Sequence, residues 1–287
     1  MRILVDAELR SWGAWASAHL RVPVGHCVAY ALESPGKRLR PALVMATYRA
    51  LGGEGSIQRV AAAVEVVHCY SLVHDDLPCM DDDDLRRGRP TAHKRFGVRT
   101  ATEAGQRMIP LAGRVLADGA AALGLSLEQL GRLARELYRA AGPAGMVGGQ
   151  YLDLLAEGQE LTLDDMVAMH RRKTGALIAA SAVLGALAAG ADGDMVAAAR
   201  GYGEDIGLAF QITDDLLDET GTSAELGKTA GKDARRRKPT FATLMNPDQA
   251  RQASERCVMG AVDRLREARI DSSLLNDLAY FIINRRS

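Results

Sequence analysis

The sequence predicts an all-α protein, and three observations carry that reading. Alanine, leucine, glutamate and arginine recur at three- and four-residue spacing along its 287 residues. The alternation of β-branched and aromatic residues that marks strands is missing, and aromatics make up only 5% of the chain. Clusters of Gly, Pro, Asn and Ser divide the periodic segments at short intervals, as helices joined by short loops require.

Taken in order, breaks at Ser34-Pro35-Gly36 and Gly52-Gly53 close the N-terminal helices. The next segment places Val60, Val64, Val67 and Ser71 on one helical face and runs into the acidic stretch His74 to Asp84. There Pro78 removes a backbone donor and distorts the helix where carboxylate spacing matters. After Gly88-Arg89-Pro90 comes a helix containing Glu103 to Pro110, in which Glu103 and Arg107 are four apart and able to pair, while Pro110 is expected to kink or end it. Gly142-Pro143 is the next break. Gly175 to Ala191 is rich in Ala and Gly, interrupted by Ser181, and shorter than the ~20 residues of a membrane span, so it reads as a buried helix. Ala191-Asp192-Gly193 opens the helix that carries Gln211 to Asp218, and Gly221-Thr222-Ser223 and Asn246-Pro247 divide the remainder. The expected total is roughly nine to twelve helices, with no linker or internal repeat.

Charge narrows the function. With 36 Lys+Arg against 36 Asp+Glu the chain is neutral, which excludes a generic nucleic-acid or acidic-membrane binder, so anions must be recognised by local clusters. Its 47% hydrophobic content suffices for a large core. Cys27, Cys69, Cys79 and Cys257 are scattered, and with no secretory segment at the start they read as reduced thiols of a cytoplasmic protein, not a disulfide framework or zinc site.

Two acidic motifs stand out: His74-Asp75-Asp76-Leu77-Pro78-Cys79-Met80-Asp81-Asp82-Asp83-Asp84 and Gln211-Ile212-Thr213-Asp214-Asp215-Leu216-Leu217-Asp218. Asp214 and Asp218 share a helical face about 6 Å apart along the axis, where they repel unless a cation or good solvation intervenes. Hard divalent cations, Mg²⁺ above all beside phosphate, suit such oxygen donors. In the first motif spacing does not choose between Asp81 and Asp82. An acidic turn with Arg86 and Arg87 as neighbours could be simply solvated, but Leu72, Val73, Leu77 and Met80 interleave with its acids. Basic clusters at Lys37-Arg38-Leu39-Arg40, Arg86-Arg87, Arg171-Arg172-Lys173, Lys228, Lys232 and Arg235 to Lys238 complement the acids, as a metal-bridged polyphosphate site would. Gly221 to Thr229 is not a nucleotide P-loop, because five residues separate its glycines and it follows a helix.

These motifs, with Gly36-Lys37-Arg38-Leu39-Arg40-Pro41, Gly149-Gln150, Lys173-Thr174-Gly175 and Gly227-Lys228 through Lys238, resemble the trans-polyprenyl diphosphate synthase family, in order from about residue 30 onward. The resemblance implies a single domain over residues 1–287, an antiparallel helical bundle around a deep central cavity, and a homodimer. It implies a prenyltransferase that condenses isopentenyl diphosphate with an allylic diphosphate. Asp75, Asp76, Asp81, Asp214 and Asp218 would hold three Mg²⁺ ions on the allylic diphosphate, with Mn²⁺ able to substitute. Arg86, Lys173, Lys228 and Lys238 would contact that diphosphate, and Lys37, Arg40, His68 and Arg87 that of isopentenyl diphosphate. Thr174 and Gln211 would turn oxygen atoms toward the carbocation. No nucleic acid and no stable membrane insertion is expected.

Product length is read from the residues before Asp75. In the family a bulky aromatic five residues earlier, here Tyr70 beside Ser71, together with the two extra residues Pro78-Cys79, accompanies short farnesyl products; geranylgeranyl diphosphate is the alternative. The chain departs from the family's Gly-Asp-Ala-Leu-Leu helix at Glu103 to Pro110, which bears on cavity and dimer. A non-catalytic regulatory subunit would be expected to lose acidic motifs, and both are complete here. A terpene cyclase would carry an Asn/Ser/Glu metal motif in place of the second.

Overall fold

Helices make up nearly all the regular structure of the computed structural model, which describes residues 1–156, 158–220 and 240–285. Lys228, Lys232, Arg235 and Lys238, the break at Gly221-Thr222-Ser223 and the rejected phosphate loop lie outside the described residues. The chain divides into two compact units, residues 1–45 with 55–134, and residues 46–54 with the described part of 135–285.

The first unit is built on α1 (Arg2–His19), α2 (Val24–Leu32), the start of α3 (Leu39–Ala50), α4 (Gln58–Asp75), α5 (Ala92–Phe96), α6 (Val98–Ala122) and the start of α7 (Leu127–Ala141). Every residue of α4 from Val60 to Val67 is buried, because its side chains are small or branched apolar ones except Glu65, whose charge is met by Arg38. Helix α6 packs antiparallel along it through glycine. A Cβ on Gly119 would stand 2.8 Å from the Val60 backbone nitrogen, and one on Gly105 would overlap the His74 ring. Between α4 and α5 runs a small hairpin, β1 (Leu85–Arg86) with β2 (Arg89–Pro90). Its two turn residues, Arg87 and Gly88, both have positive φ (55° and 74°), the conformation that matches the twist of a two-residue hairpin.

The second unit takes the end of α7, then α8 (Met146–Leu155), α9 (Leu163–His170), a π-helical turn (Arg171–Gly175), α10 (Ala176–Ala188), α11 (Gly193–Thr220), α12 (Phe241–Leu244), α13 (Pro247–Glu267) and α14 (Ser273–Asn284). Leu177 to Ala188 are buried throughout, as the Ala-rich run predicts. Helix α11 crosses α10 closely, for a Cβ on Gly203 would lie 2.5 Å from the Ala179 Cα. Asn246 caps α13, accepting the Gln249 N–H at 2.8 Å, with Pro247 in the first turn where no donor is missed.

Two expectations are corrected. The described residues hold fourteen α-helices, beyond the expected range, because α5 and α12 are single short turns below the length that periodicity registers. Pro110 does not end its helix, since α6 runs from Val98 to Ala122 with Pro110 inside. Pro110 and Gln106 are both exposed, and the Pro110 nitrogen cannot donate to the Gln106 carbonyl four residues earlier. Pro110→Ala should therefore stabilise the protein by roughly 1–3 kcal/mol, read as a higher urea midpoint with unchanged slope.

Candidate active site

In the first unit, α4 delivers Asp75 and Asp76 at its C-terminal end, and the loop beyond doubles back. The Asp81 N–H donates to the Asp75 carbonyl at 2.8 Å and the Asp82 N–H to the Leu77 carbonyl at 3.1 Å. Asp75 and Asp81 are thereby brought together, both half-buried, while Asp82 has φ of 49° and is exposed. The run is thus part solvated and part structural. Asp84 is exposed and pairs with Lys94 at 2.7 Å, whereas Asp83 is buried, 3.2 Å from an Arg86 nitrogen. Asp76 is buried and accepts from Arg86 Nε at 2.8 Å. Burial raises its carboxyl above the usual range, although Arg86 works against that rise.

Cations gather beside this helix end. His68, half-buried on α4, has its pKa pushed well below the imidazole range by burial and then by Arg40, Arg87, Arg86 and Arg38, so it stays neutral. Arg87 donates from Nη1 to the Pro35 carbonyl at 2.5 Å, and Gly36 makes room for it, since a Cβ there would lie 2.7 Å from that nitrogen. Burial, Arg38 and Arg86 lower the Arg87 pKa, with Cys69 and Glu65 opposing. Lys37 is exposed and Arg40 half-buried. A neutral imidazole among crowded guanidinium groups is an anion-binding environment.

The chain-length candidates lie one turn back. Tyr70 is 7% exposed and meets the His74 ring edge-on at 5.5 Å, while His74 Nε2 lies 3.1 Å from the Thr102 carbonyl of α6. Ser71 spends its hydroxyl on the His68 carbonyl at 2.9 Å.

In the second unit, Lys173 and Thr174 project from the π-helical turn, a helix irregularity often found at functional sites. Lys173 Nζ donates to buried Asp153 at 2.7 Å. Thr174 Oγ1 donates to Gln211 Oε1 at 3.1 Å, Gln211 Nε2 to Asp215 at 2.9 Å, and the Phe241 N–H to the other Asp215 oxygen at 2.9 Å. This chain fixes the amide orientation of Gln211. Burial drives Asp215 up to about 6, with Phe241 and Gln211 pulling it down and Asp214 and Asp218 pushing it up. Asp214 and Asp218 both lie on α11, as their spacing predicts. Gln150 keeps both polar atoms of its amide buried without a hydrogen-bond partner among the described residues.

Sequence reasoning missed four participants. Arg285, beyond the last turn of α14, lies 3.0 Å from Asp214, feels Asp218, donates to the Phe210 carbonyl at 2.8 Å and stacks over the Phe210 ring at 4.0 Å. Asp153, which holds Lys173, follows Gly149-Gln150 by a helical turn, the one local hint available. Glu65 and Asp6 bind Arg38, and nothing in their local sequence announces it.

A family model described as Polyprenyl synthetase matches residues 23–272. The farnesyl diphosphate synthase of Escherichia coli (strain K12) is 44% identical over 268 residues, covering 92% of this chain and 89% of that protein. The chloroplastic heterodimeric geranylgeranyl pyrophosphate synthase large subunit 1 of Arabidopsis thaliana is 42% identical, over 92% of this chain and 72% of that one. Among solved structures, a geranyltransferase from Legionella pneumophila matches with a TM-score of 0.82 at 34% identity, covering 99% of this chain and 96% of that chain. A geranyltransferase from Helicobacter pylori, complexed with magnesium and isoprenyl diphosphate, matches with a TM-score of 0.81 at 29% identity, covering 98% and 95%.

The Gly149 contact can be tested directly. A Cβ there would overlap the backbone nitrogen of Lys173, and backbone cannot yield as a side-chain tip can. Gly149→Ala is expected to cost about 1–3 kcal/mol, seen as a lowered midpoint in thermal or urea unfolding.

Proposed function

The chain belongs to the polyprenyl synthetase family of prenyl-chain-elongating transferases, and we propose that it joins isopentenyl diphosphate head to tail to an allylic diphosphate, with farnesyl diphosphate as its main product. The observation that carries the proposal is the cationic crowd around neutral His68. Glu65 and Asp6 are engaged by Arg38, and Asp76 and Asp83 by Arg86, while His68 lies in the field of Arg40, Arg87, Arg86 and Arg38, a setting that suits an added anion.

The acidic motifs fit magnesium by donor chemistry. A backbone hydrogen bond holds Asp81 against Asp75 at one folded helix end, and the Arg285 guanidinium beside Asp214 and Asp218 supports reading their face as one suited to positive charge. Magnesium held by Asp75, Asp76, Asp81, Asp214 and Asp218, three ions with bound diphosphate in this reading and replaceable by Mn²⁺, would neutralise charge growing on the leaving diphosphate.

The chain's own groups do the rest. Lys37, Arg40, His68 and Arg87 hold the diphosphate of isopentenyl diphosphate, and Arg86 and Lys173, with Lys228 and Lys238, hold that of the allylic substrate. Because Thr174 donates its only hydroxyl proton to Gln211, its oxygen offers lone pairs alone to a developing cation. No side chain acts as nucleophile, since the isopentenyl double bond supplies the electrons. A proton then leaves the new chain, with the released diphosphate as its acceptor. We further propose that residues 1–287 work as one catalytic domain, as a homodimer in the cytoplasm. No helix among the described residues is long and apolar enough to cross a membrane.

Purified protein with Mg²⁺ and isopentenyl diphosphate should elongate dimethylallyl and geranyl diphosphates to a fifteen-carbon product, sized after dephosphorylation. Exhaustive chelation should abolish turnover and added Mg²⁺ or Mn²⁺ restore it. Undiminished activity without metal would sink the mechanism, and mostly twenty-carbon product would establish the geranylgeranyl alternative.

Tyr70 gives a second test. Buried one turn before Asp75 and wedged on His74, it forms the floor that stops chain growth in this reading. Tyr70→Ala should lengthen the main product by one or more five-carbon units, and a product unchanged from wild type would remove Tyr70 from that role.

A further inference from the structure

Arg38 and Glu65 form a buried ion pair at 2.7 Å, their side chains only 4% and 3% exposed. Glu65 is the acidic member of the wholly buried stretch of α4, and Arg38 directly precedes α3 with φ of 55°. Arg38 also donates from Nε to Asp6 at 2.8 Å and from Nη2 to the Ser34 carbonyl at 2.7 Å. One guanidinium thus ties α1, the loop between α2 and α3, and α4 together. Its donors point into protein, so it is not itself a ligand for substrate.

Its neighbours are placed differently. Lys37 before it is exposed and Arg40 two residues after it is half-buried, and Arg38 itself takes the left-handed conformation. His68 is three residues after Glu65, on the same side of α4. Clamping Arg38 to Glu65 therefore brings Lys37 in the loop and Arg40 at the start of α3 to the part of α4 that carries His68. The Glu65 carboxylate also offsets the repulsion between Arg38 and Arg87. A buried pair is a costly way to gain stability but an effective way to fix one geometry.

We propose that Glu65, acting through Arg38 and braced by Asp6, is a positioning residue for the isopentenyl diphosphate site, setting the spacing of Lys37, Arg40 and His68 around that diphosphate. The inference rests on the reading that those three residues bind isopentenyl diphosphate.

The test uses Glu65→Gln, which keeps shape and hydrogen bonding but removes charge, and the milder Asp6→Asn, at a site 29% exposed. For each, rates are measured while titrating either substrate, isopentenyl diphosphate binding is measured by calorimetry, and melting temperature is recorded. Glu65→Gln should raise the isopentenyl KM about tenfold and weaken isopentenyl binding equally, with kcat and allylic KM within about twofold of wild type. Asp6→Asn should shift the same constants less, and it decides the matter if Glu65→Gln does not accumulate. Equal rises in both KM values, a lowered melting temperature with normal isopentenyl KM, or no change would each overturn the role. If wild-type protein neither binds nor consumes isopentenyl diphosphate, the functional reading fails instead, so the two failures are distinguishable.

Discussion

Burial of α4 on every side is the constraint on which the first unit depends. A helix with a polar face can slide or rotate a little toward water, whereas one enclosed from Val60 to Val67 has nowhere to turn. Everything it carries is then fixed along a ruler of about 1.5 Å per residue. Glu65, His68, Tyr70 and Asp75 occur in that order, so ten residues place the buried carboxylate about 15 Å from the first acidic-motif carboxylate. Glu65, His68, Tyr70 and Asp75 thereby hold fixed separations without any loop having to set them.

Rigidity alone does not keep like charges together, and the structure answers that problem the same way in each place. Arg38 is countered by Glu65 and Asp6, Arg86 by Asp76 and Asp83, Lys173 by Asp153, and Asp214 by Arg285. Each pair is at least partly buried on one side, which strengthens the attraction and narrows the geometry. Such groups are oriented before any ligand arrives, the condition under which fixed dipoles and charges lower a barrier without reorganising. The chain from Thr174 through Gln211 and Asp215 to the Phe241 N–H does the same with neutral groups.

What the sequence revealed follows from what is local. Asp214 and Asp218 were legible as a pair because helical periodicity fixes their relation; the breaks at Ser34-Pro35-Gly36, Gly52-Gly53 and Gly142-Pro143 fall between helices, and Asn246-Pro247 marks the start of α13. The different settings of Asp81 and Asp82 were not legible, since they turn on a hydrogen bond to the Asp75 carbonyl and a positive φ in a non-periodic loop. Glu65 and Arg285 were invisible for another reason. Their partners Arg38 and Asp214 lie 27 and 71 residues away in the chain (65 − 38 and 285 − 214), and no pattern of spacing encodes a contact of that kind.

The altered stretch Glu103 to Pro110 shows how a departure in sequence is confined by a helix. Glu103 is engaged by Arg21 and, at 3.4 Å, by Arg107, and Gln106, Arg107, Ile109 and Pro110 are all exposed. Ala101, Ala104, Gly105 and Met108 are the buried positions, on the opposite face. The unusual polar residues and the proline therefore turn away from α4, while small and apolar residues keep the contact. Gly105 in particular must stay small, because His74 fills the space its side chain would take and links α6 to Tyr70. The polar changes consequently bear on the outer face of α6, and the face that meets α4 keeps its small and apolar residues.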